Sequence, residues 1–123
     1  MTVNTAKPLS EFNPRVCDCE YCQSYPSWLM SDVGMVIELL GERSALTMNQ
    51  NGDRLASFYH CKSCGQLLAV GCFLDGVQRG AVNGALLHDK NELGPRVSIQ
   101  PRLLSAEQKL TRWQTLWGRL SGI

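Results

Sequence analysis

Cys17-Asp18-Cys19-Glu20-Tyr21-Cys22 and Cys61-Lys62-Ser63-Cys64 place five of the chain's six cysteines in two short runs. Thiolates are soft ligands, and zinc takes four of them, or fewer with nitrogen or oxygen, in a tetrahedron with sulfurs at about 2.3 Å. A C-x-x-C on a tight turn sets two sulfurs on one side of the backbone, and the glycine after it, Gly65, relieves crowding there. The C-x-C-x-x-C run supplies three sulfurs from one loop. The 38 residues from Gln23 to His60 exceed the usual zinc-ribbon interval, so the two runs need not share one ion. Two plainer readings compete. A redox dithiol at Cys61 and Cys64 should open a helix after a strand, yet strand patterns lie on both sides of it. Inert core cysteines are usual singly, which suits Cys72 inside its apolar run, but five in two tight motifs point to metal.

Three thiolates from one loop bear on chemistry. Structural zinc sites are closed by four protein ligands, whereas catalytic sites keep an open position. A thiol or water in that position has its pKa lowered by the ion. Three thiolates donate much electron density, which weakens the ion as a Lewis acid and favours thiolate exchange over water activation. The chemistry to expect is therefore sulfur chemistry rather than hydrolysis.

Composition sets the frame for these motifs. The chain has 123 residues, 44% hydrophobic and 19% charged, which suits a single globular domain over 1–123 with a true core. A net charge of +1, with no basic residues interleaved with the cysteine runs, argues against nucleic acid as partner. From Pro95 onward five basic residues (Arg96, Arg102, Lys109, Arg112, Arg119) face one acid, Glu107. The plain reading is a solvated helix face; a weak anion-binding edge is the alternative. No apolar run is long enough to span a membrane, and MTVNTAKPLSEF lacks the apolar stretch of a signal peptide. The expectation is a cytoplasmic protein with no membrane partner, where clustered cysteines serve as metal ligands rather than disulfides.

The elements that must position the motifs read as mainly β with one C-terminal α-helix. Residues 1–12 read as a leader or short first strand, and 13–26, with Pro14 and Pro26, as a loop or knuckle. Strands are expected over Gly34–Leu40, Ala45–Met48, Leu55–His60, Leu67–Phe73 and, as one long or two short pieces, Val77–Leu87. Asn51-Gly52-Asp53 and Asp75-Gly76 are turn signals, and Cys61–Gly65 forms a hairpin tip. His88–Pro95 is loop-like. Ser105 and Gln108 fit a capping box, and Leu110, Trp113, Leu116, Trp117 and Leu120 repeat at helical spacing, which predicts a helix over 105–120.

Other side chains carry weaker signals. His60 next to Cys61 reads as a hydrogen-bonded strand residue, with a fourth-ligand role as the alternative. His88 reads as solvent-facing. Tyr21 suits packing better than lining a pocket. Trp113 and Trp117 form a core face, or else the anchor of a homodimer.

Cys17-x-Cys19-x-x-Cys22, then Cys61-x-x-Cys64-Gly65 leading into an apolar strand, then the Asp75-Gly76 turn, resemble the glutathione-dependent formaldehyde-activating enzyme family, which includes centromere protein V. The resemblance covers roughly Pro14 to Leu87. It implies a β-tent of small antiparallel sheets with zinc knuckles. It also implies carbon–sulfur lyase chemistry on a thiol–aldehyde adduct such as that of glutathione and formaldehyde. By the same resemblance a catalytic zinc belongs to Cys17, Cys19 and Cys22. A structural zinc belongs to Cys61 and Cys64 together with a first-strand C-x-C. The sixteen residues before Cys17 hold no cysteine, and Asp18 stands where the family often has histidine. Three readings stay open: the structural site is lost to packing, the remaining thiolates regroup around one closed zinc, or the reading frame is truncated. A regrouped site makes the protein a non-catalytic zinc-stapled binding module.

Overall fold

In the computed structural model, the residues described are 2–5, 8–17, 28–39, 46–50, 55–74, 76–99 and 104–121. The longest apolar run, Leu67–Leu74, forms the strand β7, and its burial on both faces matches its composition. Val77–Asn83, the strand β8, pairs with it antiparallel from Ala69↔Val82 to Leu74↔Val77. Gly76 at φ +77° serves the turn between them, a conformation that costs glycine little. Leu46–Gln50 (β5) and Ser57–Cys61 (β6) complete an antiparallel ribbon of four, in the order β5-β6-β7-β8.

β8 is the branch point of the sheet. Its second edge takes Gly118–Ser121 (β10) at Arg79–Gly80, and then Leu29–Met30 (β3) at Val82–Asn83. Beyond β10 lie Val36–Glu38 (β4), parallel to it, and Thr2–Asn4 (β1). Beyond β3 lie Arg15–Cys17 (β2) and, parallel to that, Val97–Ile99 (β9). The described strands thus join in one curled, mostly antiparallel sheet with two parallel pairings, and with one α-helix among the described residues the chain is mainly β as expected.

Two side chains make the branch possible. Ser31 sits where β8 changes partners. Its hydroxyl donates to the Gly80 carbonyl at 2.7 Å and accepts from the Gly118 N–H at 2.8 Å. Asn83, 1% exposed, ends β8. Its Oδ1 accepts from the N–H groups of Trp28 (3.0 Å) and Ala85 (3.1 Å), and its Nδ2 donates to the Leu67 carbonyl (2.9 Å). One amide therefore joins the start of β7, the end of β8 and the approach to β3. Glycines allow the close contacts on the same seam: a Cβ on Gly80 would stand 2.5 Å from the Val70 carbonyl oxygen, and one on Gly118 would strike the carbonyls of Met35 and Asp32.

Each face of the sheet has its own core. One holds Phe12, Met30, Met35, Ile37, Leu39, Tyr59, Ala69, Val82 and Leu120. The other holds Ala56, Val70, Cys72, Ala81 and Trp117, and is covered by the helix α1, Ala106–Leu116, through Leu110, Trp113 and Leu116. The capping box of Ser105 and Gln108 is present. The helix is shorter than the 105–120 read from periodicity. It ends at Leu116, Trp117 caps it, and Gly118 begins β10. Leu120 keeps helical phase with Trp113 and Trp117, but the slot between β4 and β8 claims it for the opposite core.

Replacing Asn83 with Leu keeps the volume and strands two N–H groups and a carbonyl. At about 1–3 kcal/mol for each buried orphan, the loss should reach about 3 kcal/mol. The urea midpoint should fall with the slope unchanged, and a loss below about 1 kcal/mol would deny Asn83 this role. Gly118→Ala should cost about 2 kcal/mol by overpacking against backbone that cannot yield.

Candidate metal centre

The hairpin between β6 and β7 is a formed knuckle. The Cys61 N–H donates to the Gln66 carbonyl at 2.9 Å, and the Gly65 N–H donates to the Cys61 carbonyl at 2.8 Å. Gly65 takes φ +76°, which is why a glycine follows the motif. A register shift at Tyr59/His60 breaks the ladder just before the turn. His60 is buried at 4% exposure, and its Nδ1 lies 3.1 Å from the Gly65 carbonyl oxygen. A carbonyl only accepts, so Nδ1 carries the proton. The histidine is the hydrogen-bonded strand residue expected, and it braces the turn from below. His88 is exposed, also as expected.

The turn aims donors at one sulfur. The Cys64 N–H, then the Cys64 thiol, then the Ser63 N–H donate to Cys61 Sγ and hold its pKa below the ordinary thiol value, against a small opposing effect of burial. Hydrogen bonds to the charged form favour that form, so the turn favours a thiolate at Cys61. Cys64 is exposed and Cys61 half-buried; neither is in a disulfide. Cys72 is the contrast: it is 8% exposed, its thiol is pushed up by burial, and it packs beneath α1 as expected of a core residue.

Strand register places Cys17, the first residue of the first cysteine run. Arg15 pairs with Leu29, and Leu29 with Asn83, so Cys17 ends β2 about two residues beyond the level of Asn83. On the other flank Ala69 pairs with Val82 and His60 with Leu67, which sets Cys61 at nearly the same level. Cys17 and Cys61 therefore stand at one end of the sheet. Cys19, Cys22 and Tyr21 lie outside the described residues. Among the described residues, no group of three His, Cys, Asp or Glu side chains is gathered for a metal ion. Also among them, no helix is long and apolar enough to cross a membrane.

Asn83 and Ser31, which hold this end of the sheet together, were not singled out in the sequence. An asparagine followed by glycine at the close of an apolar strand was the available signal, and it reads equally as a plain turn. No family model, no curated protein and no solved structure matches the chain.

Alkylation of the metal-free, folded protein followed by peptide mass spectrometry tests the knuckle. A depressed pKa populates the thiolate at lower pH, so Cys61 should react with its midpoint below the ordinary thiol value. Cys64→Ala, which removes the thiol donor but keeps the N–H, should move that midpoint upward. Cys72 should stay unmodified until unfolding. A Cys61 midpoint at or above the ordinary value would mean that the N–H groups do not reach its sulfur.

Proposed function

We propose that the protein is a zinc-dependent carbon–sulfur lyase-like enzyme of the β-tent type, acting on a thiol–aldehyde adduct of the glutathione and formaldehyde kind. Cys17, Cys19 and Cys22 hold the working ion, and Cys61 and Cys64 belong to a stapling site. The observation that carries the reading is that Cys17 and Cys61, one from each cysteine motif, stand at one end of the sheet, the second on a hairpin turn whose N–H groups favour thiolate. When bound, zinc supplies a positive charge that keeps a coordinated thiol ionised at neutral pH. The rest of the reaction is ordinary addition. The sulfur bonds to the aldehyde carbon, the carbonyl electron pair moves to oxygen, and that oxygen takes a proton; the lyase direction reverses each step.

A second reading has its own support. Because Cys17 and Cys61 stand at the same end of the sheet, Cys61 and Cys64 are candidates to join thiolates of the first run around one ion. Four protein sulfurs would close that ion to substrate and leave a zinc-stapled binding module.

X-ray absorption of protein purified without chelator separates the two. Three sulfurs plus a light ligand on the working ion favour the enzyme, four sulfurs on a single ion favour the module, and protein free of zinc refutes both. For the enzyme, glutathione should alter the visible absorption of the cobalt-substituted protein. Exchange of glutathione with formaldehyde, followed by NMR, should slow at least about a hundredfold in Cys19→Ser.

A further inference from the structure

β5 ends the β5-β6-β7-β8 ribbon, and among the described residues it pairs with β6 alone. In an antiparallel ladder alternate residues turn their N–H and C=O groups toward the partner, and the others turn them away. The outer edge of β5 therefore offers donors and acceptors that no described strand takes up. Exposure agrees: Thr47, Met48, Asn49 and Gln50 are all exposed, Met48 at 56%. Native sheets blunt such an edge with a short strand, charged side chains, proline or a bulge. β1 and β9, which end the other path through the sheet, have three residues each. β5 has five, Leu46-Thr47-Met48-Asn49-Gln50, with no charge and no proline, and its register with β6 is unbroken.

We propose that the outer edge of β5 is a homodimer interface, at which two copies of this chain pair β5 with β5 antiparallel about a two-fold axis at Met48. Pairing across a two-fold is self-complementary. Leu46 of each copy faces Gln50 of the other, Thr47 faces Asn49, and Met48 faces its own copy. The strand is uncharged, so no like charges meet along it, whereas an acidic or basic foreign strand would find no counter-charge there. The flanking sequence is balanced too, with Glu42 and Arg43 before the strand and Asp53 and Arg54 after it. Met48 stands opposite Tyr59, a member of the first core, so a second Met48 across the axis covers exposed apolar surface on that face. The tryptophans of the helical stripe are spent within the chain: Trp113 and Trp117 stack at 4.6 Å with their planes 7° apart, and both pack on the second core. A five-residue edge falls short of the roughly 1,200 Å² of a standard interface, so the dimer is a weak one, with a Kd of about 10–100 µM. The interface uses no cysteine and stands whether or not the zinc reading does.

Sedimentation equilibrium of the full chain under reducing conditions, from about 1 µM to about 1 mM, should show a reversible monomer–dimer equilibrium. Met48→Lys, at an exposed position that folding tolerates, sets two like charges directly opposite one another. It should weaken association at least about tenfold and leave the melting of the monomer unchanged. Met48→Glu should do the same. An equimolar mixture of the two variants should associate again, because unlike charges then face each other, a rescue that a merely distorted edge cannot give. Thr111→Lys, at an exposed position on α1, should leave association unchanged. A single monomer mass across the whole range overturns the proposal. So does a dimer as tight in Met48→Lys as in the parent chain, or a mixture of the two charged variants that stays monomeric. A dimer lost in Trp113→Ala but kept in Met48→Lys places the interface on α1 and overturns it as well.

Discussion

The side chain of Asn83 sets the geometry on which the candidate centre depends. A buried amide offers both a donor and an acceptor, and this one uses both. Two N–H groups converge on its oxygen and one carbonyl takes its nitrogen. A carboxylate could not donate to Leu67, and a hydroxyl could not reach three backbones at once. The amide is needed because β8 changes neighbours along one edge, and backbone groups at such a change lose their ladder partners. Asn83 at the top of the branch and Ser31 lower down replace those partners. The levels of β2, β3, β7 and β8 are tied to one another as a result, and so are the levels of Cys17 and Cys61.

From that shared level, reactivity is divided by environment rather than by residue type. Cys72 and Cys61 are eleven positions apart on neighbouring strands. One is sealed under a helix, where burial favours the neutral thiol; the other stands on a turn whose N–H groups favour the thiolate. The turn is rigid for reasons independent of metal: a left-handed glycine, two backbone hydrogen bonds and a buried imidazole beneath it. A knuckle already held in place would lose little conformational entropy on binding a ligand, so more of the binding energy would appear as affinity.

The parts legible in the sequence were those with local causes. The Gly65 turn, the apolar β7, the β5–β6 pairing and the Ser105–Gln108 cap each follow from residues within a few positions of one another. The parts that were not legible depend on distant chain. β3 has two residues and β9 three, too few for any period to register. β10 carries Leu120 in helical phase with the stripe before it, and only the vacant slot beside β4, far earlier in the chain, decides that it is a strand.

The same separation bears on whether the two cysteine runs meet. Between β2 and β6 lie four strand spacings, roughly 19 Å along an uncurled sheet. Two sulfurs on one zinc are under about 5 Å apart, since each lies at about 2.3 Å from the ion. Cys17 alone therefore cannot join Cys61 on one ion unless the curl of the sheet closes most of that gap. Cys22 is five residues further on, and five residues extend at most about 17 Å, so a shared ion requires a nearly extended run toward the knuckle. A compact C-x-C-x-x-C loop keeps its three sulfurs for itself, with a position left for a substrate thiol; an extended one gives up that arrangement to reach Cys61 and Cys64. An open centre would need the compact loop and a closed one the extended loop, and the curl of the sheet would set the difference in cost between them.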